Sequence, residues 1–183
     1  MSTIALTLHE PDARKVRACW TLLEQRLGLR GVRKVPFPHV TLFGCDGVET
    51  PRIQGILEDY SQRTGPIDLS SVGLGIFLNP SPVLYLPVIR TPRLTAIHQD
   101  LWHAVGALGA QRFALYNLER WIPHMTLAQG DLRAEQLPEA LDALRDAEVE
   151  LHFQVRNLTI FDFIGPRFEP AERYPLLGEP ITS

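Results

Sequence analysis

The chain of 183 residues contains an internal repeat, and this duplication limits its possible folds more than any other sequence feature. Residues 4–8 and residues 84–88 each alternate large aliphatic side chains with other residue types, as a strand with one buried face does. Each predicted strand leads into a segment with an apolar stripe at helical spacing, and these segments begin at Pro11 and Pro92. Proline is common at the first helical position because its missing N–H would have no partner there. Both halves therefore begin with the same strand and helix.

The second strand of each half carries the same five-residue pattern. Residues 38–42 read Pro-His-Val-Thr-Leu, and residues 123–127 read Pro-His-Met-Thr-Leu. A second helical segment and a long alternating run follow each motif, and both runs end at an Ile-Phe pair, which begins at Ile76 and at Ile160. Within each run the apolar residues change from odd to even positions, which predicts a bulge or a bend because a strand keeps one face only with period two. The halves resemble two copies of one β-α-β-α-β unit.

We predict a single α+β domain over residues 1–183. No proline- or glycine-rich linker separates the halves, and residues 79–82 between them are only long enough for a tight turn. The expected architecture is a duplicated, two-lobed fold in which antiparallel sheets line a central groove and helices pack on the outside. The pseudo-repeats cover about 1–80 and 81–183, and the second includes an edge strand predicted around residues 174–177.

The charge and the cysteine content exclude several classes of protein. Eighteen Lys and Arg against 21 Asp and Glu give a formal net charge of −3, which excludes a generally basic nucleic-acid coat but is compatible with a local basic patch. Two cysteines, Cys19 and Cys45, are too few for a disulfide framework and favour a reducing compartment. The N-terminal residues do not read as a signal peptide, and no window is apolar enough for a membrane span. We expect a monomeric cytoplasmic protein that does not bind a membrane.

The repeated motif places reactive side chains on one face of each strand. Because side chains alternate along a strand, His39 and Thr41 share a face, about 6.6 Å apart along the strand, and His124 and Thr126 do the same in the second copy. Across a groove between two lobes, the two imidazoles and two hydroxyls would surround one point. Two opposed histidines suit in-line transfer at phosphorus, since a neutral imidazole accepts the proton of the attacking oxygen while a protonated one donates to the leaving oxygen. The threonine hydroxyls can donate to the non-bridging oxygens.

On these two motifs the sequence resembles the two-histidine (2H) phosphoesterase superfamily, which includes the 2′-5′ RNA ligase-like proteins and the RNA 2′,3′-cyclic phosphodiesterases. The resemblance covers nearly the whole chain and implies that His39, Thr41, His124 and Thr126 are the catalytic residues, with no cofactor and no metal. It also implies hydrolysis of a 2′,3′-cyclic phosphate at an RNA or nucleotide end, and the reverse reaction that forms a 2′-5′ bond. The ligase branch usually carries a further aromatic residue and a glycine after its first motif, whereas this run, His-Val-Thr-Leu-Phe-Gly, is one residue shorter.

Three further residues are predicted to contact the substrate. Phe43 lies two residues beyond Thr41, so it is expected on the groove face, where it could stack on a base. Tyr85 lies between two core-facing leucines and therefore also points toward the groove. Arg120 lies just before the second motif and could bind a phosphate, as could Arg33 before the first. A cap on the sheet edge is the alternative for Phe43, and solvated surface is the alternative for the arginines.

Alternatives to this function stay open. A phosphodiesterase of a small nucleotide metabolite fits the acidic net charge better than an enzyme for long RNA does. A non-catalytic module could bind phosphorylated ends with the same groove, and the duplication could be purely structural. A zinc site is less favoured, since neither motif supplies a pair of histidines four residues apart or a neighbouring thiolate. The other histidines, among them His98 and His103, are expected to be structural or exposed.

Overall fold

The computed structural model describes residues 1–164, 167–168 and 172–179. It combines helices with antiparallel sheets, which confirms the predicted α+β class. The α-helices in this part of the chain are α1 (Asp12–Leu27), α2 (Thr50–Arg63), α3 (Pro92–Ala107) and α4 (Leu137–Ala143). Its strands are β1 (Ser2–Thr7), β2 (His39–Asp46), β3 (Ile67–Ser71), β4 (Gly75–Phe77), β5 (Val83–Pro87), β6 (Gln111–Arg112), β7 (His124–Ala128), β8 (Leu151–Val155), β9 (Asn157–Ile164), β10 (Arg167–Phe168) and β11 (Glu172–Pro175). Within the described residues, no helix has the length and hydropathy needed to cross a membrane.

The sheets take strands from both halves of the sequence. The first sheet has the order β10-β9-β1-β2-β6, with β11 also paired to β9, and the second has the order β4-β5-β7. Strand β3 pairs with β8, and a bridge between Ser71 and Val88 joins this pair to the second sheet. Strand β9, from the second half, pairs with β1, whereas β4, from the first half, pairs with β5. The halves therefore exchange strands, an arrangement that the repeat alone does not predict.

Local sequence explains where the longer helices begin and end. At the start of α3, the Thr91 hydroxyl accepts a hydrogen bond from the Leu94 N–H at 3.1 Å, and Pro92 is the first helical residue as predicted. Helix α1 ends at Leu27, and the next residue, Gly28, has a φ of 73° and donates its N–H to the Glu24 carbonyl. Glycine adopts this left-handed conformation at no steric cost, so it ends the helix there.

One hydrophobic core joins the two halves. The inward residues of both motif strands are at most 1% exposed, as the alternation predicts; they are Val40, Leu42, Met125 and Leu127. Helix α1 packs against β7 of the second half, and α3 packs against β2 of the first half. Because each of these helices covers a motif strand from the other half, the core holds the two motif strands next to each other.

A β-bulge follows the threonine of the first motif. Ala5 pairs with Thr41, but Ile4 pairs with Phe43, so Leu42 is an extra residue in β2. The bulge shifts every later side chain of the strand to the opposite face. Phe43 therefore points into the core, where it is fully buried. The prediction that Phe43 faces the groove is wrong for this reason.

The buried Phe43 belongs to an aromatic cluster in the core. Its ring meets His98 and Trp102 edge-on, with centroid distances of 6.0 and 5.5 Å. Strand β7 has a register shift at the same place, where Leu127 is the extra residue and Ala128 turns into the core. The bulge is therefore part of the duplicated unit, and it leaves only the histidine and threonine of each motif on the other face.

Candidate active site

Two buried indoles hold the motif strands together. Trp121, three residues before His124, donates its Nε1–H to the backbone carbonyl of Thr41 at 3.0 Å. Trp20, from α1, donates to the carbonyl of Thr126 at 2.9 Å. Both indoles are 3% exposed, so water does not compete for these hydrogen bonds. The structure thus holds the two motif strands next to each other through contacts that the sequence does not show.

The two motif histidines are held in the same tautomer. His39 Nδ1 lies 3.0 Å from the carbonyl oxygen of Phe37, and His124 Nδ1 lies 2.7 Å from that of Ile122. A carbonyl oxygen can only accept, so Nδ1 carries the hydrogen and the lone pair of the neutral ring is on Nε2. In both copies the carbonyl belongs to the residue two before the histidine. Nε2 is therefore the atom of each ring that is available for proton transfer.

The surroundings of the two motif histidines lower the pKa of both rings. Burial lowers the pKa of His39, the hydrogen bond to the Phe37 carbonyl raises it, and the charge of His124 lowers it further. Burial also lowers the pKa of His124, against the effect of the Ile122 carbonyl. A charge on His124 therefore opposes protonation of His39. An anionic phosphate between them would favour a proton on the pair.

An equivalent phenylalanine contacts each motif histidine. The Phe161 ring meets His39 edge-on at 5.4 Å between centroids, and the Phe77 ring meets His124 edge-on at 5.1 Å. These are the phenylalanines of the repeated Ile-Phe pair. Neither was predicted at the site, although a strand whose isoleucine faces the core must turn the next residue to the other face.

Tyr85 forms part of the wall beside His124. Its ring stacks on Phe77 at 4.3 Å and lies 4.9 Å from the His124 ring, between centroids. The facing residue on β4 is Gly75, where any Cβ atom would clash with the tyrosine ring. Ala5 occupies the matching position in the first half, so only the second sheet has an aromatic ring here. Tyr85 thus lies on the predicted side, and its contact with substrate remains a prediction.

A cavity of about 310 Å³ opens next to His124. Its lining includes Phe77, Tyr116, Arg120 and Gln129. The exposed Arg120 side chain forms no ion pair with any carboxylate in the described part of the chain, and it borders the site as the sequence predicts. Tyr116 and Gln129 were not predicted, because Tyr116 lies in a three-residue 3-10 helix and Gln129 in a loop, and neither is long enough for a periodic pattern to assign a face.

Arg33 and Arg173, which also lie near the motifs, have different surroundings. Arg33 was expected to border the groove, but its Nε lies 2.7 Å from a carboxylate oxygen of Glu24, so its charge is already paired. Arg173, on β11, was not predicted, and its guanidinium lies 5.6 Å from the ring centroid of Phe37. Because Phe37 contacts the His39 ring, Arg173 places an exposed cation at the His39 end of the site.

A buried polar network lies beside His39. Thr7, which pairs with His39 across β1 and β2, donates its hydroxyl to the Asn157 side-chain oxygen at 2.5 Å. The Thr159 hydroxyl donates to the same oxygen at 2.7 Å, and all three partners of this network are at most 3% exposed. Since these buried groups are hydrogen-bonded to one another, the network fixes strands β1 and β9 beneath the histidine.

Neither thiol has the properties of a nucleophile or of a metal ligand. Cys19 and Cys45 are buried, and burial raises the pKa of each thiol to about 11. A neutral buried thiol is a poor nucleophile and a poor metal ligand. Over residues 1–164, 167–168 and 172–179, no group of three or more His, Cys, Asp or Glu side chains could hold a metal ion.

The family model of the 2′-5′ RNA ligase superfamily matches residues 8–166, and the chain belongs to this family. This confirms the resemblance inferred from the two motifs. Two Bacillus cereus proteins, from strains B4264 and ATCC 14579, carry the provisional description phosphoesterase and are each 30% identical to the chain over 104 residues. That match covers 54% of this chain and 55% of each relative, so the chain spans about half the length of the curated relatives it matches.

Solved structures share the fold at low sequence identity. TT0787 of Thermus thermophilus has a TM-score of 0.68 at 16% identity, covering 97% of this chain and 98% of its own. LigT of E. coli, in complex with 3′-AMP, has a TM-score of 0.68 at 18% identity, covering 96% and 97%. Usb1 of Kluyveromyces marxianus has a TM-score of 0.55 at 12% identity, with the same coverage. The arrangement of helices and sheets is therefore that of these proteins.

Proposed function

We propose that the protein is a metal-independent phosphodiesterase that hydrolyses a 2′,3′-cyclic phosphate at the end of an RNA or of a nucleotide. The observation that carries the proposal is the matched state of His39 and His124, each of which has its Nδ1 held by a carbonyl and its Nε2 left for proton transfer. One neutral and one protonated imidazole supply the base and the acid for displacement at phosphorus.

The threonines of the motifs complete the proposed chemistry. Thr41 and Thr126 each lie two residues from a motif histidine on the same strand face, and both are partly exposed. Their hydroxyls can donate to the non-bridging oxygens of the phosphate, where negative charge grows in the transition state. The two indoles that bind the Thr41 and Thr126 carbonyls fix the backbone that carries these hydroxyls.

The comparison with LigT supports a nucleotide substrate. Crystals of E. coli LigT contain 3′-AMP, and others contain NADP⁺, ATP or phosphate. The cavity of about 310 Å³ beside His124 in this chain is compatible with a nucleoside monophosphate, the kind of ligand that this relative holds. The cavity and the negative net charge favour a single nucleotide or a short end over a long RNA.

Hydrolysis is the expected direction of the reaction. The same geometry can join a 5′-hydroxyl to a cyclic phosphate, but the sequence has no glycine-rich phosphate loop that would indicate nucleotide-driven activation. Water is in large excess over any RNA 5′-hydroxyl. The 2′-5′ ligation reaction is therefore proposed only as a minor reverse activity.

The assay that tests this function uses the four nucleoside 2′,3′-cyclic phosphates with a metal chelator present. We expect turnover to a nucleoside monophosphate, which ³¹P NMR identifies by the loss of the cyclic-ester signal. Binding of the cyclic nucleotides without turnover would contradict the proposed enzyme and favour the non-catalytic binding module. The same assay with an RNA oligonucleotide that ends in a cyclic phosphate gives the comparison. If the protein contacts a long stretch of RNA backbone, KM for the oligonucleotide should rise steeply with salt concentration, whereas KM for a single nucleotide should rise little.

The pH dependence of kcat/KM is expected to be bell-shaped, with its maximum below about pH 6.5. This parameter reports the free enzyme, where burial lowers the pKa of both motif histidines and their charges interact. The rate falls in acid when the base is protonated, and it falls toward alkaline pH when the acid loses its proton. A rate that rises steadily with pH to about 9 would contradict two-histidine catalysis. The measurement uses a cyclic nucleotide at concentrations well below KM.

A further inference from the structure

The two motif strands lie side by side but belong to different sheets. Strand β2 is part of the first sheet and β7 is the last strand of the second, and within the described residues no ladder of backbone hydrogen bonds joins them. The Trp121 and Trp20 indoles bridge the two strands crosswise, since each donates to the threonine carbonyl of the half to which it does not belong. The relative position of the two threonines therefore rests on core packing and on two side-chain donors.

Each indole binds its strand at the bulge. Thr41 directly precedes the extra residue Leu42, and Thr126 directly precedes the extra residue Leu127. A bulge interrupts the ladder and leaves the extra residue unpaired, so the peptide group at this point is held less firmly than the rest of the strand. A buried donor that binds the threonine carbonyl replaces the missing restraint and fixes the direction of the threonine side chain.

Both indoles are themselves held in place by packing. The His98 ring stacks on Trp121 at 4.1 Å between centroids, and Phe43, which the bulge turns into the core, meets His98 edge-on at 6.0 Å. With the hydrogen bond to the Thr41 carbonyl, these contacts close a ring around the first bulge. Trp20 is held by helix α1, which packs against β7. Each indole N–H therefore has a fixed position in the core.

We propose that Trp20 and Trp121 are positioning residues of the active site, and that each acts through the threonine of the other half. Their role rests on the proposed function, in which the threonine hydroxyls donate to the non-bridging oxygens of the phosphate. Loss of the indole N–H leaves a buried carbonyl without its donor, so the peptide group must turn toward another donor or admit water. Either change moves the hydroxyl, and a displacement of about 1 Å in an active-site group lowers a rate by up to about 10²-fold.

Double-mutant cycles on a 2′,3′-cyclic nucleotide test the crosswise assignment. Trp20→Phe removes the donor and keeps an aromatic ring, and Thr126→Val removes the hydroxyl at nearly constant volume. We expect Trp20→Phe to lower kcat by about 10-fold or more in the wild-type protein. In the Thr126→Val protein it should lower kcat by less than about 3-fold, because the hydroxyl that it positions is absent. In the Thr41→Val protein, Trp20→Phe should keep its full effect.

Trp121→Phe should give the opposite pattern. Its effect on kcat should nearly disappear in the Thr41→Val protein and persist in the Thr126→Val protein. Trp121 also lines the cavity beside His124, so its replacement can change KM as well, whereas Trp20 is not among the lining residues. For Trp20→Phe we therefore expect KM to change by less than about 3-fold. The pH optimum should not move, because this indole binds a threonine carbonyl and not a motif imidazole.

Trp102→Phe is the matched control. This third tryptophan stacks on His98 at 5.8 Å between centroids and lies 4.5 Å from the Arg112 guanidinium, whereas the two motif carbonyls bind the other two indoles. Trp102→Phe should keep kcat within about 3-fold of the wild type. An equal loss of kcat in this control would show a general effect of indole loss and overturn the positioning role. Should Trp20→Phe fold poorly, benzothienylalanine in place of Trp20 keeps the bicyclic ring and replaces only the N–H, by sulfur.

The outcomes separate the positioning role from the proposed function. With an active wild type, crosswise coupling supports the positioning role, and equal effects of each tryptophan variant in both threonine backgrounds overturn it. If the wild type turns over no cyclic nucleotide, the proposed function fails, and calorimetry with inorganic phosphate reads the same cycles, since the threonine hydroxyls can still donate to its oxygens. Trp20→Phe should then raise Kd by about 3-fold in the wild type but not in the Thr126→Val protein. Equal changes in Kd in both threonine backgrounds, or a wild type that does not bind phosphate, would overturn the positioning role as well.

Discussion

Replacement of His39 or His124 by glutamine is expected to lower kcat on a 2′,3′-cyclic nucleotide by about 10²–10⁴-fold, the usual contribution of a positioned acid or base. Glutamine keeps an amide that can donate to the carbonyl two residues earlier, but it cannot exchange a proton with substrate near neutral pH. KM should change little, because the imidazoles act mainly in the transition state. Steady-state kinetics of purified variants, with circular dichroism to confirm folding, measure this effect.

The double variant distinguishes a catalytic pair from two independent contacts. If one histidine takes a proton while the other gives one, loss of either disables the step. The loss of kcat in the double variant His39→Gln/His124→Gln should then be much smaller than the product of the two single losses. His152→Gln is the matched control, since this exposed histidine lies on β8 away from the motifs. Retention of more than a tenth of the wild-type kcat by either single variant would contradict the assignment of these residues as acid and base.

Alternation along a strand was sufficient to predict which motif residues face the core and which do not. Val40 and Met125 are fully buried, whereas the histidines beside them remain partly exposed. The same rule failed for Phe43, because the bulge at Leu42 changes the face. A signal was present: the apolar residues of β2 change from even to odd positions at Phe43, which is the kind of change that indicated the bend before each Ile-Phe pair. Periodicity must be followed through the whole strand to locate such a bulge.

Contacts between the halves could not be predicted from the sequence. The hydrogen bond from Trp121 to the Thr41 carbonyl joins residues 80 positions apart, and neither residue type nor spacing marks it. The exchange of β4 and β9 between the sheets is equally invisible, since both strands would show the same alternation if they paired within their own half. Repeats predict the unit that is duplicated, whereas tertiary packing decides how the two copies combine.

His98 illustrates how such packing changes the properties of a residue. Its imidazole is fully buried and stacks on the Trp121 indole at 4.1 Å between centroids. Its Nε2 lies 2.9 Å from the Tyr116 carbonyl, to which it donates. Through these contacts His98 supports both the indole that binds Thr41 and the cavity wall at Tyr116. Burial lowers the pKa of His98 from its ordinary value of 6.5 to about 4; the Tyr116 carbonyl opposes this change and the charge of Arg90 adds to it.

This low pKa is expected to make the free energy of unfolding strongly dependent on pH between 6.5 and about 4. In that range the unfolded chain binds a proton that the folded His98 does not, so acidification favours unfolding, by up to about 3 kcal/mol from this residue. The lowered pKa values of His39 and His124 act in the same direction. At about pH 7.5 and above the rings are neutral in both states, and this dependence disappears.

His98→Phe isolates the contribution of the buried imidazole, because phenylalanine keeps a ring against Trp121 but cannot be protonated. At about pH 7 the variant should be less stable than the wild type by about 1 kcal/mol, since the Tyr116 carbonyl loses its donor. At about pH 4.5 it should be the more stable protein by about 1–2 kcal/mol, because only the wild type must keep a neutral histidine there. Urea unfolding at both pH values measures which protein is more stable at each pH. The variant His152→Gln, at an exposed histidine, should show the same change in the free energy of unfolding with pH as the wild type. If the free energy of unfolding of the wild type and of His98→Phe changed equally between the two pH values, folded His98 would accept a proton without cost. The aromatic cluster would then not impose the neutral form of the ring.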